Sequence, residues 1–154
     1  MMMNLSCDVL KALQGKTLAT AESCTGGGIG AAITAVPGSS AVYKGGIISY
    51  TNEIKQKLLG VPAELLTDFG AVSAPVAEAM AKGARKALNA DIAVSVTGLA
   101  GPGGDDYGNP VGTVYIGYAD DKQTISRLYR FKGNRQAVQT AAIQAALQLI
   151  LEMN

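Results

Sequence analysis

Histidine is absent from the chain. Its absence excludes Ser-His-Asp and Cys-His catalysis and every histidine-based metal site. A general base must then be lysine, a carboxylate, tyrosine or a group on the substrate. No metal or other cofactor is expected. Charge is also scarce, at 16% of residues with a net +1. No Lys/Arg run is long enough to track a phosphate backbone, so no nucleic-acid partner is expected. No apolar run reaches about 18 residues, which argues against a membrane span. Met1 to Lys16 lacks the basic and unbroken apolar regions of a signal peptide, and a cytoplasmic location is the expectation. The only cysteines, Cys7 and Cys24, lie in unlike contexts, make no disulfide framework and read as reduced thiols.

What is present is glycine, at 19 of 154 residues, on a 48% apolar background. That length and composition suit a single domain, residues 1–154, with closely packed α/β layers and backbone-lined loops. The low charge content leaves room for a homodimer or higher homo-oligomer.

Apolar residues at Leu5, Val9, Leu10 and Leu13 predict a short amphipathic helix closed by Gly15. Thr17 to Ala21 is a strand, followed by a helix from about Thr25 to Ala35 that Pro37-Gly38 stops. Gly46 to Thr51 reads as a second strand. Thr51-Asn52 caps a helix from Glu53 with Ile54, Leu58 and Leu59 on one face. A short helix over Pro62 to Phe69 follows. Ser73 caps a longer one to about Leu88, whose inward stripe is Val76, Ala77, Met80, Ala84, Ala87 and Leu88. Asp91 to Thr97 is nearly continuously apolar, as a central strand covered on both faces should be. A Gly/Pro-rich segment, Gly98 to Pro110, separates it from a hairpin of Val111 to Ala119 and Thr124 to Phe131. Asn134 caps a final helix, Arg135 to about Leu151, with Val138, Ala142, Ala145 and Leu149 inward. Strands interleaved with helices imply a three-layer α/β/α sandwich around a mixed, mostly parallel sheet of about five strands.

Three of those strands end in polar clusters: Ser23 to Thr25, Ser49 to Asn52, and Thr97-Gly98. Parallel neighbours would bring the three together at one sheet edge. The first cluster turns through Gly26, Gly27 and Gly28 into a helix, whose free N–H groups suit an anion. A capped helix start, with Ser23 or Thr25 as N-cap, is the simpler reading of the same residues. As a nucleophile Ser23 needs a base, and a lysine of lowered pKa is the simplest candidate. Lys55 sits in the first turn of its helix, where the dipole disfavours its charge. It is read either as that base or as a solvated lysine. Tyr50, five residues earlier, could relay a proton or orient the pair. Cys24 is a rival nucleophile whose pKa a helix start would lower. Arg135, also placed against a helix dipole, pairs with a bound anion or is simply exposed. Glu22 accepts a hydrogen bond from substrate or orients Lys55.

The motifs Ala21-Glu22-Ser23-Cys24-Thr25-Gly26-Gly27, Gly38-Ser39-Ser40, and Gly46 to Tyr50 with Thr51-Asn52-Glu53-Ile54-Lys55 come first along the chain. Gly70-Ala71-Val72-Ser73, Thr97-Gly98-Leu99-Ala100-Gly101-Pro102-Gly103-Gly104 and Pro110-Val111-Gly112-Thr113-Val114 follow in that order. In these residues the chain closely resembles the CinA C-terminal domain family, from about Val9 to Leu151. The resemblance implies an α/β/α sandwich. Stand-alone members include a nicotinamide-nucleotide amidase, so it also implies a small-molecule nucleotide substrate. The reaction would be hydrolysis of the carboxamide of nicotinamide mononucleotide to nicotinate mononucleotide and ammonia. Ser23 matches the family's proposed nucleophile, and Tyr50 and Lys55 match polar residues of its active site. The length leaves no room for the molybdopterin-binding-like N-terminal domain of longer relatives, so the amidase domain alone is expected. In that frame, N–H groups around Thr25, Gly26 and Gly27 or at Thr97-Gly98 would hold the oxyanion. The other Gly-rich segment, which includes Gly101, or Arg135, or both, would hold the phosphate. Two further classes stand beside it. A nucleotide-binding phosphate-ester hydrolase lacks support from a Gly-x-x-x-x-Gly-Lys-Ser/Thr pattern or a dense acidic cluster for Mg²⁺. A non-catalytic nucleotide-sensing module would use Ser23 and Lys55 only to bind.

Overall fold

A computed structural model describes residues 1–154. Along the chain run α1 (Met2–Ala12), β1 (Leu18–Glu22), α2 (Gly28–Thr34), a 3-10 turn (Ser39–Ala41) and β2 (Tyr43–Ile48). Next come α3 (Asn52–Leu59), α4 (Ala63–Phe69), α5 (Ala74–Ala87), β3 (Ile92–Gly98), β4 (Thr113–Ala119), β5 (Thr124–Arg130) and α6 (Arg135–Met153). No helix is long and apolar enough to cross a membrane.

The strands form one sheet in the order β2-β1-β3-β4-β5. β1 pairs parallel with β2 and β3, while β3–β4 and β4–β5 are antiparallel. The sheet is therefore evenly mixed rather than mostly parallel. The tight turn at Asp120, whose carboxylate accepts from the N–H groups of Lys122 and Gln123 at 2.8 and 2.9 Å, forces the last pair to be antiparallel. β1 lies between its two parallel partners: the chain leaves it for β2 on one side through α2 and crosses back past it to β3 on the other through α3, α4 and α5. Such a switch point opens a crevice at the carboxyl ends of the strands.

Two boundaries differ from the sequence pattern for identifiable reasons. α2 begins at Gly28, not Thr25, because Gly26 and Gly27 take left-handed φ values of 60° and 100°. β2 begins and ends earlier than Gly46 to Thr51, because its ladder with β1 runs from Leu18↔Tyr43 to Glu22↔Ile48.

Strand alternation sorts side chains between two cores. Leu18 of β1 and Ile92, Val94 and Val96 of β3 join the larger core with α1, α2 and α6. Ala19, Ala21 and Ala93 face α3, α4 and α5 in the smaller one. This second interface is tight because its residues are small. Ser95 Oγ donates to Ala77 O at 2.5 Å, and a Cβ on Gly117 would lie 2.4 Å from the same carbonyl. The buried stripe of α5 is Val76, Ala77, Met80, Ala81 and Ala84; Ala87 is exposed and Leu88 half-buried where the helix outruns the sheet. In α6 the inward residue is Ala146 rather than Ala145.

Candidate active site

The last residue of β1 and the two that follow it, Glu22, Ser23 and Cys24, face three directions. Ser23 is held by its N–H bond to Val96 O at 3.1 Å and lies on the α3–α5 side. Cys24 falls into the larger core. Glu22, on the α2 side and 2% exposed, accepts from Thr25 Oγ1 at 2.6 Å and from the N–H groups of Ile29 and Gly30 at 2.8 and 3.0 Å. The helix start does bind an anion, and that anion is the protein's own carboxylate. Neither Ser23 nor Thr25 caps α2, and Glu22 touches neither Lys55 nor the open crevice. Its role is to lock the turn. Glu22→Gln exchanges one acceptor oxygen for a donor facing N–H groups. It should destabilise the fold by about 2–3 kcal/mol, read as a lower urea midpoint.

Lys55 reaches the same point from β2's side. Thr51 Oγ1 accepts from Ile54 N–H and starts α3, which turns Lys55 and Leu59 inward. Leu58, expected on that inward face, is instead half exposed, and Lys55 occupies the buried position. The lysine is 1% exposed, so it is not a solvated side chain. Its Nζ donates to Ser49 O at 2.7 Å and to Ser23 Oγ at 3.2 Å. No carboxylate pairs with it, since the single salt bridge of the chain joins Arg127 and Glu152. Burial accordingly lowers its pKa from 10.5 to about 8.

The same physics works against Cys24. Burial raises its thiol from 9.0 to about 11, and the nearby Lys55 and Arg135 charges do not offset that. A helix start would have lowered it, but Glu22 occupies that helix start and adds to the rise.

Tyr50 is not part of the serine–lysine pair. Its hydroxyl accepts from Arg135 Nη2 at 3.0 Å, while Arg135 Nη1 donates to Gly101 O at 2.6 Å. Arg135 thus bridges the loop after β2 to the loop after β3 at the mouth of the crevice. That second loop is built rather than slack. Asp105 accepts from Tyr107 and Asn109 N–H groups at 3.1 and 3.0 Å and from Asn109 Nδ2 at 2.8 Å. Burial opposes ionisation of Asp105, yet these bonds prevail and hold its pKa below the ordinary value. Tyr107 lies over Gly70 and donates to Thr67 O at 2.7 Å, tying the loop to α4. Thr97 Oγ1 is committed to Ala71 O at 2.8 Å. Gly98 admits no side chain, since a Cβ there would sit 2.9 Å from Thr113 O and 2.7 Å from Val114 Cγ2.

These walls enclose a cavity of about 530 Å³. Of the residues expected in the site, Ser23, Tyr50, Lys55, Thr97, Gly98, Gly101 and Arg135 line it, as does Cys24. Glu22, Thr25, Gly26 and Gly27 stand behind it and shape the turn instead. Asn52, Asp106 and Tyr107 also line it without having been singled out as site residues. Gln139 was missed as well: its Nε2 donates to Cys24 O at 3.0 Å. The signal for it was its place one helical turn after Arg135.

Comparison with known proteins gives a consistent result. The family described as the CinA C-terminal domain matches residues 3–154. A CinA-like protein of Parasynechococcus marenigrum is 51% identical over 94% of this chain and 35% of its own length. One from Geobacter sulfurreducens is 52% identical over 87% and 32%. The chain thus spans about a third of the length of these curated relatives. Among solved structures, a CinA superfamily protein from Escherichia coli superposes with a TM-score of 0.98 at 33% identity, covering 100% of this chain and 91% of that one. The competence/damage inducible protein CihA of Agrobacterium tumefaciens gives 0.95 at 38% identity, covering 99% and 95%. By sequence and by fold, the chain belongs to the CinA C-terminal domain family.

Proposed function

We propose that the chain is an amidohydrolase that cleaves the carboxamide of nicotinamide mononucleotide, with Ser23 as nucleophile and Lys55 as its base. The observation that carries this reading is a buried lysine amine, without a counter-ion, 3.2 Å from a serine hydroxyl. Burying an unpaired ammonium is costly, and a structural role would be served better by an apolar residue. The cost is accounted for if the neutral amine is the useful form.

Ser23 Oγ adds to the carboxamide carbon while neutral Lys55 takes the hydroxyl proton. The tetrahedral adduct collapses with cleavage of the C–N bond, and Lys55 returns the proton to the departing nitrogen as ammonia forms. Water, deprotonated by the same amine, then adds to the serine ester. The C–O bond breaks, the amine's proton passes to Ser23 Oγ and the product leaves as the carboxylate, its own proton lost to solvent. The cavity volume is in the range that encloses a mononucleotide. Arg135 at its mouth is the cation placed to meet the phosphate. The test is ammonia release from nicotinamide mononucleotide without added metal. A wild-type protein that releases none across pH 6–10 overturns the reading.

A further inference from the structure

We infer that Gln139 is a positioning residue for the proposed nucleophile, holding the turn that carries Ser23 through a single hydrogen bond to Cys24. The inference rests on the amidase reading for its kinetics but not for its geometry.

Arg135, Gln139 and Ile143 recur every four residues on α6 and form one stripe along it. Each touches a different part of the site. Arg135 reaches Gly101 and Tyr50, Gln139 reaches Cys24 O, and Ile143 Cδ1 fills the space where a Cβ on Gly28 would stand, 2.5 Å away. Of these contacts only Gln139's falls on the turn between Ser23 and Gly27.

The backbone of that turn shows why the bond matters. Ser23 N–H is held by Val96 O, and Gly26 N–H by Ser23 O. Gly28 N–H is held by Thr25 O, and the next two N–H groups by Glu22. Three N–H groups of the turn, those of Cys24, Thr25 and Gly27, have no acceptor in the protein. The Cys24–Thr25 peptide is set apart by its carbonyl, which is held from outside the turn by a side chain, through Gln139 Nε2. The two ends of that peptide are anchored, by Gly26 N–H on Ser23 O and by Thr25 Oγ1 on Glu22, but Gln139 makes the one hydrogen bond to the plane itself. Because the peptide is planar, rotation would also redirect the free Thr25 N–H, two residues from the reacting hydroxyl. A displacement on the order of 1 Å at a reacting group costs roughly 100-fold in rate.

The experiment compares Gln139→Met, which keeps the bulk and loses the donor, with Gln139→Lys, which restores a donor on a long side chain. With nicotinamide mononucleotide, Gln139→Met should lower kcat about 10- to 100-fold and leave KM within about threefold. Gln139→Lys should recover most of that loss. A purely structural role would instead lower the thermal midpoint of both variants without separating their kcat values. Unchanged kcat in Gln139→Met, or an equal loss in Gln139→Lys, overturns the inference. A second readout is the rate at which a fluorophosphonate probe modifies Ser23, followed by intact mass. It requires no amide substrate. If the wild type releases no ammonia the amidase reading fails, and slower labelling in Gln139→Met alone still supports the positioning role. Equal labelling of wild type and Gln139→Met removes it.

Discussion

Ser23→Ala is expected to abolish ammonia release, with kcat reduced about 10⁴-fold or more, because Ser23 Oγ is the one nucleophile at the end of β1 hydrogen-bonded to the Lys55 amine. The neighbouring thiol is the one rival, and Cys24→Ala should change kcat by less than about tenfold. Cys24 lines the same cavity, but its burial against the larger core holds the thiol protonated, with a pKa of about 11, and the Lys55 amine is bonded to Ser23 Oγ instead. Steady-state kinetics on the two variants decides between them. Activity retained in Ser23→Ala and lost in Cys24→Ala would transfer the nucleophile to the thiol and leave the amidase reading in place.

Lys55→Met should remove activity to a similar extent while leaving the protein at least as stable as the wild type at pH 7. The displacement of the lysine pKa from 10.5 to about 8 corresponds to about 3 kcal/mol against the folded state while the amine is charged. Against that gain, the substituted side chain would leave Ser49 O without its donor, at a cost of about 1–3 kcal/mol. The two nearly cancel or favour the variant, whereas most losses of a buried side chain destabilise.

The pH dependence follows from the same group. Below about pH 8 the lysine is charged in both folded and unfolded chains, and its penalty is fully present. Between about 8 and 10.5 the folded protein has lost the proton and the unfolded chain has kept it. The wild type therefore gains stability relative to Lys55→Met as pH rises through that window. Urea midpoints at pH 7 and pH 10 read this directly. Activity should rise over the acid limb of the kcat/KM profile with an apparent pKa near 8, as Lys55 becomes neutral. An acid limb centred near 4 would instead assign the base to a carboxylate.

Much of this site was legible in the residues. Absence of histidine reduced the choice of base to few residue types, and helical spacing after Thr51 placed Lys55 in a first turn. The element order was legible because apolar periodicity and Gly/Pro punctuation are local signals. The β4–β5 hairpin was legible for the same reason, but the antiparallel docking of β4 on β3 was not, since strand partners are chosen by packing between distant segments. Glu22 shows the same divide. An acid before a Gly-rich turn reads equally as a ligand for substrate or for the helix that follows. Only the direction in which alternation turns it, toward Ile29 and Gly30, decides the matter.

By itself, the sequence determined the family, the layered α/β character and the identity of the serine and lysine to test. The tertiary structure decided which groups are partners: Lys55 with Ser23, Glu22 with α2, Tyr50 with Arg135, and Gln139 with the carbonyl beside the proposed nucleophile. The reason is physical. Residue type and spacing set what a segment can form, but hydrogen-bond partners and desolvation depend on which segments the sheet brings within about 3 Å of one another.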